Sequence, residues 1–251
     1  MNNIPLISVI TPLYNAENFI ERNIKSVQQQ SFKNWEHIIV NDCSTDKGPE
    51  IVKKWAAQDK RIVFIENTEN SGAGITRNKA IKAAKGRYIA FLDSDDQWYL
   101  EKLERQVAFM QKKKIDFSFS YYDQLDEFGN KIGVMNNIPE KVNYYSTLKN
   151  NKIGCLTVIY DAEKLGKVYM PLIRKRQDYA LWLKILRKVD YAYCFPEALA
   201  AYTMRSDSVS SNKLSLIKYN WHVYRHIEKH SFLKSSYYLI SIIYNRLKRK
   251  S

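Results

Sequence analysis

The chain has 251 residues, 45% hydrophobic and 26% charged, with only eight Gly and six Pro. Those proportions suit one sizeable core, or one core with a small appendage, and exclude disordered, collagenous and disulfide-scaffold classes. Forty Lys and Arg against 26 Asp and Glu leave a net charge of +14, so the expected partner is a polyanion, an anionic membrane surface or a phosphorylated substrate.

Cys43, Cys155 and Cys194 are far apart and odd in number, which predicts neither a disulfide framework nor a zinc ribbon and fits a reducing, cytosolic setting. The first residues, Met1 to Pro5, do not read as a signal peptide. No run reaches the roughly 18 apolar residues a bilayer span requires.

From the start, strand and helix patterns alternate. Strands are predicted at 6–11, 35–40, 61–65 and 87–92, and helices at 17–30, 50–57, 75–84 and 100–112. Such βαβ repetition predicts an α/β fold with a mainly parallel sheet covered on both faces, whose ligands bind beyond the carboxyl ends of the strands. After a strand at 116–122 comes a hairpin turning at Gly129 and Asn130. A short helix at 144–150, a strand at 156–160, a helix at 179–189 and a strand at 191–195 follow. From Lys213 the composition turns basic and aromatic, so the chain divides into 1–210 and a helical tail at 211–251.

The strand ends carry the chemistry. After the fourth strand, Asp93, Asp95 and Asp96 place three carboxylates within four residues. Helix capping by Ser94 or Asp95, with Gln97 completing a capping box, accounts for one or two of them. A magnesium or manganese ion bridging carboxylates to a substrate diphosphate accounts for all three. Asp42, closing the second strand, is placed to accept hydrogen bonds from a nucleoside, while Ser44, Thr45 and Asp46 suit capping of the next helix. The first loop, from Thr11 to Glu17, has no glycine, which disfavours dinucleotide fingerprints and P-loops. Gly72 and Gly74 read as a turn, and Arg77 either reaches a diphosphate or is solvated.

Five segments together resemble glycosyltransferase family 2, the inverting, GT-A-fold family that uses nucleotide-diphosphate sugars. They are Val9–Asn15, Val40–Asp46, Asn70–Asn78, Gly86–Asp96 and Gln177–Leu183. The stretches Tyr202–Lys213 and Trp221–Tyr224 are similar to bacterial enzymes of O-antigen, capsule and teichuronic-type polysaccharide synthesis. The resemblance implies that Thr11, Pro12, Tyr14, Glu17 and Asp42 surround the nucleotide, with Arg77 nearby. It implies that Asp93 and Asp95 are the outer acids of an Asp-x-Asp motif that holds the donor, with Ser94 between them, and a divalent cation, Mn²⁺ or Mg²⁺. It places Asp178 as the catalytic base, although an acid paired with Arg174, Lys175 and Arg176 is the alternative at that helix start. The implied reaction moves a sugar from a nucleotide-sugar donor, UDP-linked, to a polyprenyl-diphosphate-linked saccharide at the inner face of the cytoplasmic membrane.

Two departures stand out. Gln177 replaces the Glu that often precedes the base, and Tyr202-Thr203-Met204-Arg205 replaces a Tyr-Arg-x-His pattern. Arg205, with its planar fork, is therefore the expected ligand for donor phosphate.

Residues 213–251 hold nine basic residues and one acid, Glu228, which is eight of the net +14. Interleaved aromatics give this tail two readings, an interfacial segment on an anionic membrane or a helix docked on the catalytic domain. His222, His226 and His230 recur at helical spacing and read as structural, since no fourth zinc ligand is evident. Basic charge with aromatics is also the footprint of a nucleic-acid-binding module, but no such motif is present and the strand-end acids would repel phosphates without a metal, so no nucleic acid is expected. A catalytically inactive sugar-nucleotide binder is the other alternative.

Overall fold

The protein is described by a computed structural model over residues 4–204 and 213–248. The strands β1 (Ile7–Leu13), β2 (Trp35–Asn41), β3 (Ile62–Glu66) and β4 (Tyr88–Phe91) alternate with helices α1 (Ile20–Gln28), α2 (Gly48–Gln58) and α3 (Ala73–Ala83), as the periodicity predicts. They pair in parallel in the order β3-β2-β1-β4. Chain direction across the sheet reverses at β1, so the loops after β1, β2 and β4 converge on one crevice. Gly86 allows β4 to enter beside β1, because a Cβ there would lie 2.6 Å from the Ser8 backbone nitrogen.

The acidic segment is followed by β5 (Gln97–Trp98) and only then by α4 (Lys102–Lys113). No helix starts where the capping reading requires one. Next come β6 (Phe117–Leu125) and β7 (Lys131–Met135), joined by a turn that the Asp126 carboxylate holds through Phe128 and Asn130 N–H groups at 3.0 and 2.8 Å.

The second half of the sheet is mixed. The elements are β8 (Lys141–Val142), α5 (Tyr144–Lys149), a 3₁₀ turn (Cys155–Thr157), β9 (Ile159–Asp161), α6 (Ala162–Leu165), α7 (Gln177–Leu186) and β10 (Ala192–Thr203). β9 runs antiparallel between β4 and β6, whereas β10 lies parallel to β6. Because Ala90 pairs with Ile159 in antiparallel sense, the residues just before β9 extend past the carboxyl end of β4. That register carries Cys155 toward Asp93.

Alternation along the strands sorts side chains to two faces. Ile10, Ile89 and Phe91 pack with α3 and α7, and Ile7, Val9 and Ala90 pack with α4. Trp182 of α7 is fully buried, edge-on to Phe91 with ring centroids 5.4 Å apart. Truncating such a side chain costs about 3–5 kcal/mol, so α7 is held firmly against the end of β4.

The tail comprises α8 (Lys213–His222), a widened turn (Val223–Ile227) and α9 (Phe232–Lys248). It docks on the rest of the protein: Val223, Tyr224, Tyr238 and Ile242 share a core with Leu148, Tyr179 and Leu183. Glu228 is buried and paired with Arg187 at 2.6 Å, and it accepts from the Tyr144 hydroxyl. The helix breaks before His230, with Lys229 at φ +55°, so the three histidines do not continue along one face. Among the described residues no helix is long and apolar enough to cross a membrane.

Candidate active site

The loop after β1 and the loop after β2 are laced together by polar contacts. Asn15, at φ +45°, accepts through its side-chain oxygen from the Thr45 N–H at 2.9 Å. Glu17 accepts from the Lys47 N–H at 2.9 Å, and its own N–H donates to Asp46 at 2.7 Å. Asp42 is almost fully buried and receives three donors, from the Asn67 side chain, the Ser71 N–H and the Gly72 N–H, all at 2.8 Å. Asp42 and Glu17 thus fix the crevice wall from behind. Tyr14 stands out from that wall, 52% exposed, next to half-buried Pro12.

Thr11 points inward. Its hydroxyl donates to the Leu92 carbonyl at 2.7 Å and lies 2.9 Å from His37 Nε2. With the hydroxyl proton committed, His37 donates from Nε2, and its Nδ1 is buried with no protein partner. Burial pushes the His37 pKa down from 6.5 to about 3. Between those values the unfolded chain takes up a proton that the folded site refuses, so stability falls as pH falls through the window. This residue alone should remove about 2 kcal/mol between pH 7 and pH 5. Urea titrations at both values, on wild type and His37→Leu, check it; equal pH slopes in the two proteins would refute the assignment.

The acidic loop is gripped through its backbone. Asn23 of α1 donates from Nδ2 to the Asp93 and Asp96 carbonyls at 2.8 and 3.0 Å. Arg22 donates to the Asp95 carbonyl at 3.2 Å and to Thr203 Oγ1 at 2.7 Å. Thr203 in turn donates its hydroxyl to the Asp95 carbonyl at 2.5 Å and its N–H to Asp96 Oδ1 at 2.9 Å. Asp96 is buried, and its pKa is raised well above the usual carboxylate range by burial first, then by Asp95 and Asp93. It serves as a structural tie to β10. Asp93, Ser94 and Asp95 remain partly exposed at the crevice.

Arg77 of α3 is buried and forms an ion pair with Asp93. Burial alone would lower its pKa; Asp93, Cys155 and Asp178 outweigh that and raise it. The same field thus links four groups from distant parts of the chain. Arg77 Nε, also buried, has no protein partner. Asp178 lies in the first turn of α7, half-buried. Gln177 is turned inward, donating to the Arg174 carbonyl at 2.8 Å and packing on Gly74. Beside it, a cleft of about 350 Å³ is lined by Asn70, Gly72, Ile75, Leu172, Arg174 and Gln177. Arg205 lies outside the described residues.

The sequence assigned no role in the site to Asn23, Arg22, Thr203, His37 or Cys155. Asn23 alone carried a signal, a polar residue within the apolar face formed by Ile20, Ile24 and Val27.

The family model described as Glycosyl transferase family 2 matches residues 8–163. The chain belongs to glycosyl transferase family 2. This transferase is 45% identical to the "putative teichuronic acid biosynthesis glycosyltransferase TuaG" of Bacillus subtilis (strain 168), over 98% of each chain. It is 37% identical to the Escherichia coli "UDP-Glc:alpha-D-GlcNAc-diphosphoundecaprenol beta-1,3-glucosyltransferase WfgD", over 97% of this chain and 94% of that one. Among solved structures, S. aureus TarS in complex with UDP superposes with a TM-score of 0.67 at 26% identity, covering 79% of the transferase and 60% of the TarS chain. The mixed α/β fold is that of the GT-A transferases.

For a divalent cation, the donor set is small. Among the described residues no three His, Cys, Asp or Glu side chains gather as a metal cage. Two partly exposed carboxylates, Asp93 and Asp95, fit an ion of the magnesium type, which takes one or two protein carboxylates and completes its shell with water and substrate phosphates.

Proposed function

We propose that the transferase moves a hexosyl residue from a UDP-sugar to a lipid-diphosphate-linked saccharide during assembly of a bacterial surface polysaccharide. The observation that carries this reading is the convergence of Arg77, Asp93 and Asp178, with Asp95 partly exposed in the same loop as Asp93. Similarity along the whole length to TuaG and WfgD supports the acceptor class.

Each residue has a task. Tyr14 and Pro12 offer an apolar surface for the base, backed by Thr11, Asp42 and Glu17. Asp95, with Asp93, would hold a divalent cation, Mg²⁺ or Mn²⁺, which neutralises charge growing on the departing diphosphate. Arg77 keeps Asp93 in place through their ion pair. Arg205 remains the proposed further phosphate ligand. Asp178 takes the proton of the acceptor hydroxyl as it attacks the anomeric carbon. A single displacement inverts that carbon, so an α-linked donor gives a β-linked product. An acceptor anchored in lipid sets the enzyme on the anionic inner face of the cytoplasmic membrane, with 1–210 as the catalytic unit and 211–251 as the segment nearest the lipid.

The test offers UDP-glucose, UDP-galactose and their N-acetylamino counterparts, each with Mn²⁺, to a synthetic N-acetylglucosaminyl-diphospho-lipid. Transfer of one sugar with a β anomeric coupling in the product is expected. Donor binding without transfer to this or any related diphospho-lipid would replace the proposal by the inactive-binder reading.

A further inference from the structure

Helix α9 has two unlike faces. Tyr238 and Ile242 are buried against α5 and α7, and Ser235 is buried on the same side of the helix. On the other side Leu233, Tyr237, Ile240 and Tyr244 are 80%, 53%, 67% and 63% exposed. At 100° per residue these four side chains fall within about 60° of one another, opposite the buried face. Single exposed apolar residues are ordinary; a continuous stripe along a helix marks an interaction surface.

The charges around the stripe point to its partner. Lys234 and Lys248 flank it on the helix, and Lys149 of α5 holds its ammonium 5.5 Å from the Tyr237 ring centroid. Glu228, the single acidic side chain of the tail, is buried and paired with Arg187, so it does not offset the positive charge around the stripe. Two tyrosines, each with an apolar ring and a polar tip, suit the depth of lipid headgroups. A second copy of the chain fits less well, because a two-fold pairing of this face would bring two surfaces of the same positive charge together.

We propose that α9 lies flat on an anionic bilayer, with Leu233, Tyr237, Ile240 and Tyr244 in the headgroup–acyl boundary and the lysines on lipid phosphates. This rests on the lipid-linked acceptor only for its setting. The surface is coupled rigidly to the catalytic helix. Tyr238 packs on Tyr224 with centroids 5.7 Å apart, and the Tyr224 hydroxyl lies 3.2 Å from that of Tyr179, the neighbour of Asp178. Seating α9 on the lipid therefore sets the height of the base above the membrane.

The test is flotation of the full chain with vesicles of phosphatidylcholine containing 30 mol % phosphatidylglycerol, and with phosphatidylcholine alone, in the absence of substrates. Wild type should float with the anionic vesicles only, and Leu233→Glu/Ile240→Glu should lower its partition by about tenfold or more. Ile132→Glu/Val134→Glu adds the same charge at exposed positions of β7 and should bind like wild type. Circular dichroism and UDP-sugar titration confirm that each variant is folded. Failure of wild type to float, or equal loss in both variants, would overturn the proposal. So would a concentration-dependent dimer, seen by sedimentation without vesicles, that Leu233→Glu/Ile240→Glu dissolves. A protein that floats normally yet transfers no sugar would defeat the proposed function and leave this inference standing.

Discussion

An Asp178→Asn enzyme should bind its nucleotide sugar as tightly as wild type and lose about 10³-fold in kcat, within the 10²–10⁴ range typical of a removed general base. The amide has the size of the carboxylate and cannot take a proton. The fold should not suffer, because α7 is anchored by Trp182 and by Tyr179, both fully buried, and not by the half-buried Asp178. Single-turnover transfer separates chemistry from binding and product release. A kcat within tenfold of wild type would show that another group accepts the proton.

The second large effect concerns the cation. Asp95→Asn should abolish the enhancement that Mn²⁺ gives to donor binding, a loss of about 100-fold in affinity, and leave the weaker affinity in EDTA unchanged. The variant keeps the backbone ties of the loop, since Arg22 and Thr203 both donate to the Asp95 carbonyl. Calorimetric titration of UDP-glucose with Mn²⁺ and with EDTA reads both affinities. A variant that keeps its Mn²⁺ enhancement would move the cation to other ligands.

What could be read in advance was local. The alternation from Ile7 to Lys113 follows from side-chain periodicity, which each segment carries within itself. The turn at Gly129 was equally legible, with Gly129 at φ +92°. A strand was predicted at 156–160 and β9 forms at Ile159–Asp161, but its antiparallel insertion between β4 and β6 was not legible, because pairing partners distant in sequence leave no mark in a segment's own periodicity. The last strand was predicted to stop at Phe195, before Pro196. It continues to Thr203 because the pairing with β6 shifts register between Phe195 and Ala198, which accommodates the missing donor.

The site divides in the same way. Its acids were conspicuous at the strand ends, and the family motifs marked Asp93, Asp95 and Asp178. The roles of their supports were hidden. Asp42 and Glu17 spend hydrogen bonds on backbone N–H groups of neighbouring loops, a use that residue type alone does not reveal. Asp96 was open between metal ligand and helix cap, and its partner proves to be an amide 107 positions away.

That separation has a consequence for how the protein comes into being. At about 5–20 residues per second, a ribosome needs roughly 5–20 s after Asp96 to reach Thr203. Through that interval the nascent acidic loop lacks two of its ties, the Thr203 hydroxyl on Asp95 and the Thr203 amide on Asp96. The growing chain can lay down β1 to β4 early, yet the acidic loop proposed to hold the donor gains its last ties only when the final strand arrives, so premature termination upstream of Thr203 should yield a sheet without transferase activity.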